Sequence, residues 1–182
     1  VGVLRLLLPE VVALKNVEQA HPHIYDVWMH TLEVVDRLSL VLAVLAEEYD
    51  ADTAANLMLG LISLRLGRFR HALGQHLGEQ LTPERSLRAL LFLAALYHDS
   101  GKPACRQVDE QGKVRFLGHD QEGEQRVLER SQALRLSNLE IERIKLIVRH
   151  HMRPFLLGQL DGLPTRRAIY RFFRDTGATG VD

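Results

Sequence analysis

Apolar residues recur at helical spacing along nearly the whole of this chain, and that periodicity restricts it to an all-α fold. Between residues 24 and 48, Val27, Thr31, Val34, Leu38, Leu42 and Leu45 share one face, which predicts a long first helix. Asp52-Thr53 opens a second helix that runs to about Leu66, after which Gly67, Gly74 and Gly78 loosen the pattern. Thr82-Pro83-Glu84 combines a capping hydroxyl, a proline at the first helical position and an acid in the first turn. The helix predicted from there carries Leu87, Leu91, Ala94 and His98 on one face. Asp120 reads as the cap of a helix over 121–135, and Ser137-Asn138-Leu139-Glu140 as a capping box ahead of Ile141, Ile144 and Val148. A last helix spans Thr165 to Asp175. Residues 106–118 break the trend: Val108, Val114 and Phe116 flank Glu110-Gln111-Gly112-Lys113, as in a short hairpin or a loop.

The expectation is therefore a single helical bundle with a short β-hairpin near 106–118. Its 182 residues suit one domain with a sizeable core, and no repeat or low-complexity tract divides them. Residues 1–20 read as a helical lead-in left from an upstream domain, and 21–182 as the domain proper. The first residues, Val1-Gly2-Val3, include no initiator methionine, which suggests a piece of something longer. Lys and Arg number 23 and so do Asp and Glu, so an undivided polyanion-binding surface is not expected, although local basic patches are. A single cysteine, Cys105, rules out an internal disulfide and fits a reducing, cytoplasmic setting. Arg, Glu or His interrupts every apolar stretch before it reaches the length of a membrane span.

The chemistry lies in the histidines. His98 ends an apolar run on the core-facing row of its helix, and Asp99 follows it directly, so two metal-ligand types stand side by side. His151 completes the Ile144, Val148 row, whereas His150 points about 100° away. His30 borders the Val27, Thr31, Val34 face. One histidine on an apolar face is usually a core residue with a satisfied ring. Three, each on a different helix, all demand partners on burial, and a shared metal answers that demand for all of them. His119 stands beside the N–H groups of a helix start, a place suited to an anion. Gly123, one turn further on, suggests a close backbone approach. His71 and His76 read as surface residues, and His21 and His23 as loop residues around Pro22.

Four strings in this order resemble the HD superfamily of metal-dependent phosphohydrolases, and within it the HD region of bacterial tRNA nucleotidyltransferase and poly(A) polymerase relatives. They are His23-Ile24-Tyr25-Asp26-Val27-Trp28-Met29-His30-Thr31-Leu32, Leu96-Tyr97-His98-Asp99-Ser100-Gly101-Lys102-Pro103, Phe116-Leu117-Gly118-His119-Asp120 and His151-Met152-Arg153-Pro154. The resemblance implies an HD-type bundle in which His30, His98 and Asp99 are metal ligands and His119 and His151 complete a second metal site. It also implies a final Asp ligand, expected beyond Asp182, since neither Asp175 nor Asp182 fits the pattern. The paired carboxylates of a nucleotidyltransferase head have no counterpart here.

The expected activity is phosphoester hydrolysis on a nucleotide or RNA terminus, with a divalent ion (Mn, Fe, Co, Ni, Zn or Mg) as cofactor. Asp99 would bridge the metals or orient the nucleophile, Lys102 would act at the phosphate as a point charge, and Arg153 would bind substrate. The rival expectation is an RNA- or tRNA-binding accessory module with a weak or inactive HD site. It rests on the basic row Arg166, Arg167, Arg171 and Arg174 and on the cluster Arg65, Arg68 and Arg70.

Overall fold

The computed structural model describes residues 2–20, 24–45, 57–158 and 163–182, with the side chains of residues 57 and 58 outside that description. Helices α1 (Gly2–Leu7) and α2 (Pro9–Val12) lead into α3 (Val27–Val44), and α4 (Leu57–Leu66) and α5 (Arg70–Leu77) follow. Strands β1 (Gln80–Thr82) and β2 (Arg85–Ser86) precede α6 (Leu87–Tyr97) and the short α7 (Lys102–Cys105). Next come β3 (Gln107–Val108) and β4 (Val114–Arg115), then α8 (His119–Ala133), α9 (Asn138–His150), α10 (Met152–Gly158) and α11 (Arg166–Thr176). The two strand pairs are separate antiparallel hairpins, so the all-α expectation and the hairpin within 106–118 both hold. The basis of the second hairpin is local: Val108 pairs with Val114, and the Asp109 carboxylate accepts the amides of Gln111 and Lys113 across the turn.

The bundle has two apolar centres. Val11, Leu14, Val27, Leu90, Ala94, Tyr97, Val127, Ile144 and Val148 form the first, and Leu42, Leu45, Leu77, Leu87 and Leu91 the second. Helix α6 lies between them and packs on α3 and α9, while α8 packs on α9 and α7 on α8. Val11 and Leu14 are fully buried, so the lead-in shares the first centre with helices far along the chain.

Several helix ends differ from the sequence reading. Helix α3 starts at Val27, not at residue 24, because the Asp26 carboxylate accepts the Met29 amide at 2.7 Å and caps it. Thr82-Pro83-Glu84 turns the first hairpin and does not start α6. The Thr82 hydroxyl accepts the Arg85 amide, and the α6 cap is Ser86. Asp120 lies inside the first turn of α8, whose cap is Gly118 at φ 80°. Residues 70–77 form a helix despite Gly74, because Leu73 and Leu77, one turn apart, pack in the second centre. The Ser137–Glu140 capping box is present, and the last helix runs from Arg166 to Thr176, one residue later than Thr165–Asp175, because the Thr165 side chain caps it. The Asp52-Thr53 helix start, residues 46–48, His21 and His23 lie outside the described residues.

Candidate metal centre

Asp99 occupies the centre of the site, 2 % exposed. The chain leaves α6 at Tyr97, turns through His98-Asp99-Ser100-Gly101 and enters α7 at Lys102. Two glycines allow this turn to lie against α8. A Cβ on Gly101 would stand 2.1 Å from the His119 carbonyl and 2.7 Å from the Gly123 amide, and one on Gly123 would press on Val148 at 3.1 Å. Gly123 is thus a point of close backbone approach.

Four imidazoles converge on the Asp99 carboxylate. On its Oδ2 side, His98 Nε2 stands at 3.0 Å and His30 Nε2 at 3.5 Å. On its Oδ1 side, His119 Nε2 stands at 3.6 Å and His151 Nε2 at 3.7 Å. The rings touch edge to face in series, His30 to His98, His98 to His151 and His151 to His119, with centroids 5.3–5.4 Å apart. Among the described residues two triads, His30-His98-Asp99 and Asp99-His119-His151, have donor atoms close enough to hold an ion, and they share Asp99. His150 joins neither. Asp175 is paired with Arg153 and Arg174, and Asp182 with His76 and Arg143.

The same local device sets three of these rings. Nδ1 of His98 donates to the Ala95 carbonyl, Nδ1 of His119 to that of Phe116 and Nδ1 of His151 to that of Val148, each at 2.7 Å and three residues back. A carbonyl can only accept, so Nδ1 carries a proton, and in the neutral ring Nε2 presents a bare lone pair to the carboxylate. Facing acceptors repel unless a cation lies between them. The buried Nε2 atoms of His119 and His151 have no hydrogen-bond partner. Imidazoles anchored through one nitrogen with the other free, around a carboxylate, fit a divalent metal. Burial pushes the His151 imidazolium down to about 4, with His98 adding to it, so this ring is neutral at pH 7 and free to ligate. Burial would raise the Asp99 carboxyl, but His98 and Lys102 beside it outweigh that and hold it well below the usual carboxylate range.

Lys102 is 8 % exposed, and its Nζ lies 2.7 Å from Asp99 Oδ2, 2.6 Å from Gln19 Oε1 and 5.4 Å from the centre of the Phe116 ring. A cavity of about 510 Å³ opens above the cluster, walled mainly by Val114, Phe116, Leu117, Met152 and Phe155, with Gln19 and Arg115 also lining it. Arg153, expected at the substrate, does not line this cavity. Its guanidinium binds Asp175 at 2.8 Å and lies over Phe172. His76 is not the surface residue that its Gly- and Arg-rich context suggested, because its Nε2 meets the Asp182 carboxylate at 2.7 Å. His71 is exposed. Gln19, Arg115 and Phe155 reach the site with no sequence signal to mark them, since each lies in a stretch without periodicity or motif.

The chain belongs to the HD domain family, whose pattern matches residues 63–169. It is also 31% identical over 175 residues to the CC-adding tRNA nucleotidyltransferase of Thermus thermophilus, an alignment covering 95% of this chain and 29% of that protein. The chain therefore spans under a third of that relative's length. His98, Asp99, His119 and His151 fall within the matched span, whereas His30 and Gln19 lie before it. No helix among the described residues is long and apolar enough to cross a membrane.

Proposed function

We propose that this domain is a metal-dependent phosphohydrolase acting on phosphoesters of nucleotides or RNA termini, with residues 21–182 as its HD domain. The observation that carries the reading is the convergence of four imidazole Nε2 atoms on one buried carboxylate. His30, His98, Asp99, His119 and His151 would hold the metal, and Asp99 is common to both triads. A divalent ion bound there supplies an acidified water and neutralises charge on phosphoryl oxygens. The protein's own groups do the rest. The backbone carbonyls of Ala95, Phe116 and Val148 keep the rings in the ligating tautomer, and the Lys102 ammonium provides a fixed positive charge at the cavity floor. The apolar wall of Phe116, Leu117, Met152 and Phe155 offers a surface for the nonpolar part of a ligand, and the cavity volume suits one of nucleotide size. Arg153 would serve substrate from its place beside Met152 on exchanging Asp175 for a phosphate.

The test is direct. The chain should bind Mn²⁺ and hydrolyse bis(p-nitrophenyl) phosphate, and His98→Ala with Asp99→Ala should abolish both. Unchanged metal content and turnover in that double variant would sink the reading.

One observation favours a second role beside it. Helix α11 exposes Tyr170 and Phe173 together with Arg166, Arg167 and Arg171, whose guanidiniums have no ion pair among the described residues. Cations interleaved with aromatic rings suit a single nucleic-acid strand. The named activity of the Thermus relative makes tRNA the strand to try first. Binding of tRNA should weaken steeply with salt, and Arg167→Ala with Arg171→Ala should flatten that dependence.

A further inference from the structure

We infer that Gln19, from the lead-in and outside the span matched by the family, is a positioning residue that keeps Lys102 from competing with the metal for Asp99. The inference rests on the metal reading above. Lys102 is a buried ammonium, and burial of such a charge is costly unless its donors are met. The two acceptors it has among the described residues are the carboxylate Oδ2 of Asp99 and the amide Oε1 of Gln19, at 2.7 and 2.6 Å. The first of these is an oxygen that the ion needs. The second is neutral and outside both ligand triads, so it holds the ammonium without drawing the metal.

The Gln19 amide is itself oriented. Its Nε2 donates to the Tyr25 carbonyl at 3.3 Å, which turns Oε1 toward Lys102. The segment that carries it is pinned at its base. The Val27 amide donates to the Val17 carbonyl at 2.9 Å, and the Asn16 amide to the Asp26 carboxylate at 2.9 Å. Asn16 sits at φ 61°, a left-handed conformation that asparagine tolerates better than most side chains, and the chain turns there toward the site. With Gln19 truncated, Asp99 is the acceptor left to Lys102, and the ammonium settles on the carboxylate that the cation must win.

Titration of the full chain with Mn²⁺ at pH 7, alongside hydrolysis of bis(p-nitrophenyl) phosphate, tests this. Gln19→Ala should bind Mn²⁺ roughly tenfold more weakly, the size of loss typical when a group behind the ligands of a metal is removed. Gln19→Glu, which keeps an acceptor for the ammonium, should restore at least the original affinity. On a Lys102→Met background Gln19→Ala should not matter, because the residue that Gln19 acts through is gone. Unchanged Mn²⁺ affinity in Gln19→Ala, no rescue by Gln19→Glu, or an effect of Gln19→Ala that persists without Lys102 would each overturn the inference. An unaltered chain that binds Mn²⁺ but leaves the diester intact sinks the hydrolase reading alone, and the titrations still decide the role of Gln19. A chain that binds no Mn²⁺ sinks both.

Discussion

Asp99 acts through its neighbours more than through its own chemistry. A carboxylate 2 % exposed would ordinarily be driven toward its neutral form, and the cations and imidazoles around it reverse that. The histidines were legible because each of His98 and His151 continues a core-facing row, and a polar ring in such a row needs a partner. Which nitrogen faces the Asp99 carboxylate was not legible, since it depends on carbonyls at helix ends that the sequence does not position. Lys102 was read as a phosphate contact, and its bonds to Asp99 and Gln19 arise from a fold in which residues 19 and 102 meet. A second buried carboxylate, that of Glu140, contributes to acid stability. The Arg85 guanidinium holds Glu140 down to about 2, helped by Ser137 and opposed by burial. A depressed carboxyl stabilises the fold fully above its ordinary value of 4.5 and loses that contribution as pH falls toward 2. Arg85→Ala should therefore lower the urea midpoint at pH 7, by less than a fully buried pair would, because solvent reaches the guanidinium. The gap between variant and parent should shrink as pH drops below 4.5, which urea denaturation at several pH values will show.

The junction of α7 and α8 shows how little of an interface local patterning reveals. Gly101 looks like a helix breaker in the sequence and Gly123 suggests a close approach without naming its partner, and together they are the contact surfaces that let the Asp99 turn lie against α8. Gly101→Ala would force its methyl into the His119 backbone, and overpacking of that kind should cost about 3 kcal/mol and pull His119 away from Asp99. Denaturant midpoints and Mn²⁺ affinity should fall together in this variant. Sequence chemistry did identify the start of α9, because a capping box is made within four residues and needs nothing from elsewhere. Ser137→Ala should cost about 1 kcal/mol. The misplaced start of α6 has the complementary cause. Thr82-Pro83-Glu84 suits a turn as well as a helix, and the burial of Leu87, Leu90 and Leu91 behind Ser86 selects the later cap.

Long-range closure ties the molecule together from both of its ends. Glu10 in α2 accepts from the Tyr97 hydroxyl at 2.8 Å and from Arg130 Nη2 at 2.7 Å, joining the lead-in to α6 and α8 beside the core residues Val11 and Leu14. Arg143 is held between Asp182 and Glu79, which fastens the 3₁₀ turn Gly177–Val181 to α9. Glu10→Ala strands a buried hydroxyl and a guanidinium and should cost about 3 kcal/mol. A single cooperative unfolding transition in that variant is expected, because the lead-in and the body share one core. Metal should act on the whole fold in the same way. At free Mn²⁺ a hundred times its Kd the chain should gain about 2.7 kcal/mol, and chelation should remove it, as a shift in melting temperature. Periodicity and side-chain type were enough to establish a helical bundle with its hairpin at 106–118 and to single out His30, His98, Asp99 and His151 as candidate ligands, because burial and ligand chemistry are properties of residues and their spacing, whereas His119 joined them only through the family resemblance. The meeting of residues 30, 98, 99, 119 and 151, and of Gln19 with Lys102, depends on helix packing across as many as 121 positions, and only contacts between distant segments can bring the donor atoms of each triad within 4.8 Å of one another.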